Sequence, residues 1–197
     1  MAYVRADEWS RHYGEGRGFR PLGEAEKRLL RAWPPGAGRG GRALEVCCGT
    51  GELAVFLASL GYQVDAVDFA EGALLRARTE HTGVEAVRWW CLNVEHTELT
   101  HLREDGEDGE DGAHGYGLIT VRLAVAFFGD RVRVLRRLAG LLGEGGALVV
   151  ITPTAARTPE ALRDVALDDA ELAALTVEFR DVERFEAEGL AVLVVRE

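Results

Sequence analysis

The chain has 197 residues, of which 47% are hydrophobic and 28% charged, and its formal net charge is −10. That length fits one domain with a full core, and the composition is that of a globular chain. An acidic surface without a basic face argues against nucleic-acid binding, no apolar run approaches the ~20 residues of a membrane span, and three cysteines, two of them adjacent, offer neither a disulfide framework nor metal-ligand spacing.

Residues 1–20 are polar and aromatic, with Tyr3, Trp9, Tyr13 and Phe19. They contain no apolar signal core, so a cytoplasmic location is expected. Pro21 is placed in the first turn of a helix whose stripe is Leu22, Ala25, Leu29 and Trp33. The proline- and glycine-rich run 34–41 ends that helix and forms a connector.

From Arg42 short apolar runs alternate with helical patterns. Strands are expected at 42–47, 63–68, 86–91, 116–121 and 147–152. The helices between them carry inward stripes: Leu53, Phe56, Leu57 and Leu60, then Ala73, Leu74 and Ala77, then Val132, Leu135, Leu138, Ala139 and Leu142, closed by Gly143. Runs buried on both faces and joined by helices predict a parallel sheet with right-handed crossovers. Residues 103–115 are acidic, glycine-rich and repetitive, which predicts a flexible loop. Asp168 to Glu171 predicts an acid-capped helix start. Thr176–Glu186 is expected as a strand, Glu188-Gly189 as a turn and Leu190–Val195 as a last strand, adding an antiparallel hairpin to the sheet. The chain is thus expected to be a single domain, with an N-terminal helical cover over 1–41 and an α/β core over 42–197.

In an open α/β sheet, ligands bind beyond the carboxyl ends of the strands. Collected at those ends are Glu45 with the loop Cys47-Cys48-Gly49-Thr50-Gly51, then Asp68 and Phe69, Asn93 and Val94, and Arg122. Gly49 and Gly51 admit backbone angles closed to other residues and carry no Cβ to obstruct a ligand. Asp68 offers two acceptor oxygens to the hydroxyls of a ribose, or serves as a helix cap. Phe69 suits an adenine face or the core. Asn93 can meet an adenine edge, with the Val94 N–H beside it. Glu45 is an acid at a buried strand end, which calls for backbone amides or the ammonium of a bound aminoacyl group. Arg122 suits an acid group of cofactor or substrate, or a pairing with Glu45 or Asp68. Cys47 and Cys48 are read as small packing residues of a tight loop.

These motifs resemble those of class I S-adenosylmethionine-dependent methyltransferases. Glu45-Val-Cys-Cys-Gly-Thr-Gly51 is similar to the family's first motif, with Cys47 in place of its first glycine. Asp68 matches the acid after the second strand, and Asn93 the polar residue after the third, where aspartate is commoner. Leu141-Leu-Gly-Glu-Gly-Gly-Ala-Leu-Val-Val150 resembles the family's approach to strand five, with Glu144 in the proline's place. The resemblance implies a Rossmann-like, doubly wound seven-stranded sheet, order 3-2-1-4-5-7-6 with strand 7 antiparallel. It also implies S-adenosylmethionine as cofactor, S-adenosylhomocysteine as product, and cofactor binding by Glu45, Cys47, Cys48, Gly49, Gly51, Asp68, Phe69, Asn93, Val94 and Arg122.

Gly49-Thr-Gly51-Glu-Leu-Ala54 also satisfies the dinucleotide pattern, so an NAD(P)-dependent oxidoreductase is the alternative, and a non-catalytic S-adenosylmethionine-binding protein a third. Methyl transfer from a sulfonium needs mainly orientation and exclusion of water. No strong general base stands out, and Tyr13, His12 and Arg122 are the candidate acceptor-side groups. The segments left to form the acceptor pocket are small and aromatic-tinged, which suits a small-molecule substrate. No metal, nucleic acid or membrane partner is expected, and the chain is expected to be a monomer or homodimer.

Overall fold

A computed structural model describes residues 6–32, 41–99, 102 and 115–196. The acidic stretch expected to be flexible, apart from Gly115, and Trp33 lie outside the described residues. The strands are β1 (Arg42–Val46), β2 (Gln63–Asp68), β3 (Val87–Cys91), β4 (Tyr116–Arg122), β5 (Leu142–Pro153), β6 (Asp181–Ala187) and β7 (Leu190–Arg196). They form one sheet in the order β3-β2-β1-β4-β5-β7-β6. β1 to β5 are parallel, and β7 runs antiparallel to both β5 and β6. The helices are α1 (Ala6–Gly14), α2 (Glu24–Ala32), α3 (Glu52–Ser59), α4 (Glu71–Glu80), α5 (Arg131–Ala139) and α6 (Asp169–Thr176). No helix among the described residues is long and apolar enough to cross a membrane.

The central strands are apolar on both faces because each face is covered. Ala43, Leu118 and Val149 pack with Leu53 and Leu57 of α3, while Leu44, Ile119 and Val150 pack with Leu135 and Leu138 of α5. Each such leucine contributes about 1.5–3 kcal/mol of transfer free energy. Where β4 and β5 meet at their amino ends the backbones come so close that a Cβ on Gly146 would lie 2.5 Å from the Tyr116 carbonyl oxygen. That contact accounts for Gly146, while Gly145 before it has a φ of 70°.

Four expectations from the sequence are corrected. Pro21 is not the start of α2, which begins at Glu24; Leu22 is buried ahead of the helix, Glu26 and Leu30 are its buried residues, and Leu29 packs partly buried against the core as expected. The helix expected to run to Leu142 ends at Ala139, and Leu142 already belongs to β5, paired with Tyr116. Thr176 is the last residue of α6, because the capping box of Asp168 and Glu171 sets that helix in register. β6 begins only at Asp181, opposite Arg196, since the two-residue turn at Glu188-Gly189 (φ 51° and 81°) fixes the hairpin from its other end.

One buried network was not legible in the sequence. Asp65 lies in mid-β2, 1% exposed. It accepts hydrogen bonds from Tyr116 Oη at 2.7 Å, Trp90 Nε1 at 2.9 Å, Arg88 Nε at 2.9 Å and Arg42 Nη2 at 3.0 Å. Burial alone would raise its pKa, but these donors together hold the carboxyl below the usual aspartate range. The network clamps β1, β2, β3 and β4 at the end of the sheet away from the glycine loop.

Candidate active site

The glycine loop follows β1 directly. Cys47, Gly49 and Gly51 all have positive φ (57°, 54° and 81°), and the Cys48 N–H bonds the Val67 carbonyl at 3.0 Å, so the loop curls back over the end of β2. The space beside Gly51 is not open to a ligand, as the sequence suggested, because a Cβ there would overlap the Trp89 ring. His81 stacks on that ring (centroids 6.3 Å apart, planes 13°) and sets Nε2 3.0 Å from the Thr50 carbonyl oxygen. Trp89 and His81 therefore support the loop from behind. Burial, followed by nearby carboxylates, pushes the Cys47 and Cys48 thiols well up, which agrees with a packing role.

Asp68 ends β2 and is 5% exposed. One carboxyl oxygen accepts the Gly49 N–H at 2.9 Å and the other the Ala70 N–H at 2.8 Å. It thus joins the glycine loop to the start of α4, and each oxygen keeps a further lone pair. Burial raises its pKa despite those backbone bonds. After β3, Asn93 Oδ1 accepts the Glu95 N–H at 2.9 Å, so part of that side chain serves its own turn. Glu95 in turn accepts the Gly129 N–H at 2.8 Å and links the loops after β3 and β4.

Glu45 is 4% exposed, and its Oε2 has no hydrogen-bond partner. Burial drives its pKa well above the usual glutamate range, with Arg122 and the Ala54 backbone amide opposing. Arg122 itself turns elsewhere: Nε lies 2.7 Å from Glu26 Oε1, and Nη2 bonds the carbonyls of Arg20 and Pro21 at 3.0 and 2.9 Å. Its guanidinium pairs with neither Glu45 nor Asp68. Glu26, 0% exposed on α2, is the partner the sequence reading missed. Its signal was a charge between two inward leucines of one helical stripe.

Above the loop lies the N-terminal segment. The Tyr13 hydroxyl stands over Gly49, 3.0 Å from where a Cβ would be. Burial, then the Asp68 carboxylate, pushes the Tyr13 pKa far up, so it is a neutral hydrogen-bond donor. Trp9 stacks with Tyr13 at 5.9 Å and meets Phe19 at 5.3 Å and Phe127 at 5.4 Å. His12 packs into the same cluster with Nε2 buried and unpartnered, and burial lowers its pKa. His96 is exposed, and His101 and His114 lie outside the described residues.

Between loop and cover is a cavity of about 150 Å³. It is lined by Glu45, Cys47, Cys48 and Gly49 from β1 and its loop, Asp68 and Phe69 after β2, Asn93 and Val94 after β3, Arg122 after β4, and Tyr13 from the cover. Of the residues singled out in the sequence, Gly51 and His12 do not line it. Among the described residues no cluster of three or more histidine, cysteine or acidic side chains is placed to hold a metal ion.

A glycine loop after β1, an acid closing each of the first two strands and a reversed β7 define a class I, Rossmann-like cofactor-binding fold. Residues 16–192 match the family described as "Methyltransferase domain", and the chain belongs to it. It is a class I S-adenosylmethionine-dependent methyltransferase by family and topology, and the NAD(P)-dependent oxidoreductase alternative is set aside. Among solved structures it is similar to the CcbJ methyltransferase from Streptomyces caelestis, with a TM-score of 0.69, 18% identity, and coverage of 98% of this chain and 99% of that one. It is similar also to a TehB-like SAM-dependent methyltransferase from Corynebacterium glutamicum (TM-score 0.62, 17% identity, 96% and 94% coverage). A third likeness is to the glycopeptide N-methyltransferase MtfA complexed with S-adenosyl-L-methionine (TM-score 0.65, 14% identity, 91% and 96% coverage). At these identities the likeness carries the fold. No curated protein matches the sequence.

Proposed function

We propose that the cavity takes S-adenosylmethionine against the glycine loop and a small organic acceptor under the aromatic cover, and that the chain works as a single domain of core and cover. The observation that carries this is the unpartnered, buried Glu45 carboxylate oxygen facing the cavity. A buried carboxylate oxygen without a partner is costly, and at the wall of a cavity the ammonium of a bound aminoacyl group is its natural complement. Asp68 is then the acceptor for ribose hydroxyls, Phe69 the apolar wall for adenine, Asn93 and Val94 its edge contacts, and Cys47, Cys48 and Gly49 the backbone cradle of the aminoacyl part. Gly51 supports that cradle through Trp89.

The bound donor supplies a methyl group activated on sulfur. The chain's contribution is geometric. Trp9, Phe19 and Phe127 present apolar ring surface that shapes the acceptor's approach and excludes water, and orientation of this kind is worth about 7–11 kcal/mol of barrier. Tyr13, held neutral, positions a ligand acceptor group by donating its O–H. Arg122 acts through Glu26 by fixing residues 20–26 beside the cavity. His12 braces the aromatic cluster. None of the three is placed to remove a proton at neutral pH, so the reading requires an acceptor that is already nucleophilic. The same fit favours a small molecule over a docked macromolecule; anionic acceptors are disfavoured by Glu45, Asp68, Glu52 and Glu95 around the cavity.

Isothermal calorimetry tests this directly. S-adenosylhomocysteine should bind one site per chain while NAD(P) gives no heat, and labelled methyl should pass to a component of a small-molecule extract. Binding of NAD(P) in place of S-adenosylhomocysteine would overturn the assignment of the site. Tight S-adenosylhomocysteine binding with no transfer to any acceptor would favour the non-catalytic reading.

A further inference from the structure

The segment that covers the cavity is held from outside it. No residue of α1 is fully buried, and its aromatic contacts lie on the cavity side. Two further contacts, with α4, hold it from the other side. Gly72, in the first turn of α4, lies so close to α1 that a Cβ there would overlap the Ser10 carbonyl. Its N–H, one of the free donors of that turn, bonds Ser10 Oγ at 3.3 Å, and α4 has no side-chain cap of its own. One turn on, Arg76 sends Nη1 to the carbonyls of Tyr13 at 3.1 Å and Arg17 at 2.9 Å. These are carbonyls at and beyond the end of α1, where a guanidinium meets the negative end of the helix; the Tyr13 oxygen also accepts the Gly16 N–H at 3.0 Å. Arg76 is held straight by Glu80, with Nε at 2.9 Å and Nη2 at 2.7 Å from the same oxygen. Neither Gly72 nor Arg76 lines the cavity. The residues they place do: Trp9 lies one position before Ser10, and Tyr13 owns the carbonyl that Arg76 binds.

We propose that Gly72 and Arg76 are positioning residues of the methyl-transfer site: by docking α1 on α4 they seat Trp9 and Tyr13 over the glycine loop and so retain the bound adenosyl ligand. This rests on the reading of the cavity given above. Gly72 sets the distance between the helices, because any larger residue pushes α1 away. Arg76 sets its end, because one cationic nitrogen serves two carbonyls, a contact that alanine loses entirely and lysine keeps only in part.

The test uses the full chain and S-adenosylhomocysteine as probe, with Gly72→Ala, Arg76→Ala and Arg76→Lys as variants. The readouts are calorimetric affinity, release rate by stopped-flow displacement, melting temperature, and amide exchange over residues 6–20. Alanine is the better helix former, so Gly72→Ala strengthens α4 alone while displacing α1. Both Gly72→Ala and Arg76→Ala should release the ligand on the order of tenfold faster, as expected for one or two lost hydrogen bonds. Residues 6–20 should exchange faster, the melting temperature should hold, and Arg76→Lys should recover part of the retention. Unchanged release and exchange in both alanine variants would overturn the proposal. So would faster release that follows a falling melting temperature equally in Arg76→Ala and Arg76→Lys, the mark of a merely structural role. Failure of the unaltered chain to bind the probe at all would instead remove the cavity reading, and this inference with it.

Discussion

Glu45→Gln should change stability and binding in opposite directions. The carboxylate is 4% exposed, with one oxygen unpartnered and its pKa raised by burial. In the empty protein it is a cost, since a buried polar atom without a partner destabilises by about 1–3 kcal/mol, more when charged. A neutral amide of the same shape recovers part of this, and a gain of ~1 kcal/mol corresponds to about 2–4 °C for a chain of this size. Because the folded pKa lies above the unfolded value, the penalty is absent below about pH 4.3 and grows as pH rises toward the folded value. Melting curves of the two proteins should therefore coincide near pH 4 and separate by pH 7.5, with the variant the more stable. Binding moves the other way. Loss of a hydrogen bond to a charged group costs ~1.5–3 kcal/mol, so S-adenosylhomocysteine should bind roughly 10- to 150-fold more weakly. Scanning calorimetry and titration calorimetry on the same samples check both arms. A variant that binds as the parent does, or that is less stable at pH 7.5, would refute the claim that this oxygen awaits a cationic ligand.

Three other substitutions probe the frame around it. Asp65→Ala should cost about 3 kcal/mol in chemical denaturation, near the lower end for a broken buried pair because Arg88 is 43% exposed and rehydrates. Its folded pKa is depressed, so the parent's advantage should be complete above about pH 4–5 and decline as pH falls further; an advantage that instead grows on acidification would count against the network. Gly51→Ala meets both the Trp89 ring and a φ of 81°, and should lower stability by ~2–4 kcal/mol and disorder the loop; an unchanged melting temperature would show that Trp89 yields freely. Tyr13→Phe removes one neutral donor, so S-adenosylhomocysteine affinity should fall about 2- to 12-fold with no change in pH profile between 6 and 9. A lost basic limb in that range would show instead that the phenol titrates.

The sheet was legible because its signals are local and mutually consistent. Apolar runs of strand length, helical stripes between them and a glutamate–glycine turn near the end leave little freedom in topology once crossovers are right-handed. β2 was bounded to the residue, since Gln63 begins it on an exposed position and Asp68 ends it at the loop. Boundaries failed where a tertiary contact outranked propensity. Thr176 and Val177 favour a strand on their own, but the Asp168–Glu171 box commits the chain to a helix that Thr176 closes. Leu142 continues the α5 stripe, yet the glycines after it let β5 pair with Tyr116 at once.

The site divides along the same line. The proposed ligand-contact residues sit at strand ends, where sequence position determines location, and Glu45, Asp68 and Asn93 could be placed by counting from the runs that precede them. Residues that hold those in place come from elsewhere in the chain, and nothing local marks their partners. Glu26 is an acid on a short helix, and only the fold brings it across 96 positions to Arg122. Gly51 looked like a ligand-facing glycine, and only the fold puts an indole where its side chain would be. His81 is 31 positions from Thr50, and only the fold turns it toward that carbonyl. Each of these is a contact between side chains or backbones from different elements. Such a contact costs chain entropy to form and is kept because it fixes the geometry of a loop that has little apolar surface of its own. The proposed cradle for the methyl donor can therefore be found from one segment of sequence, but its geometry depends on residues from others.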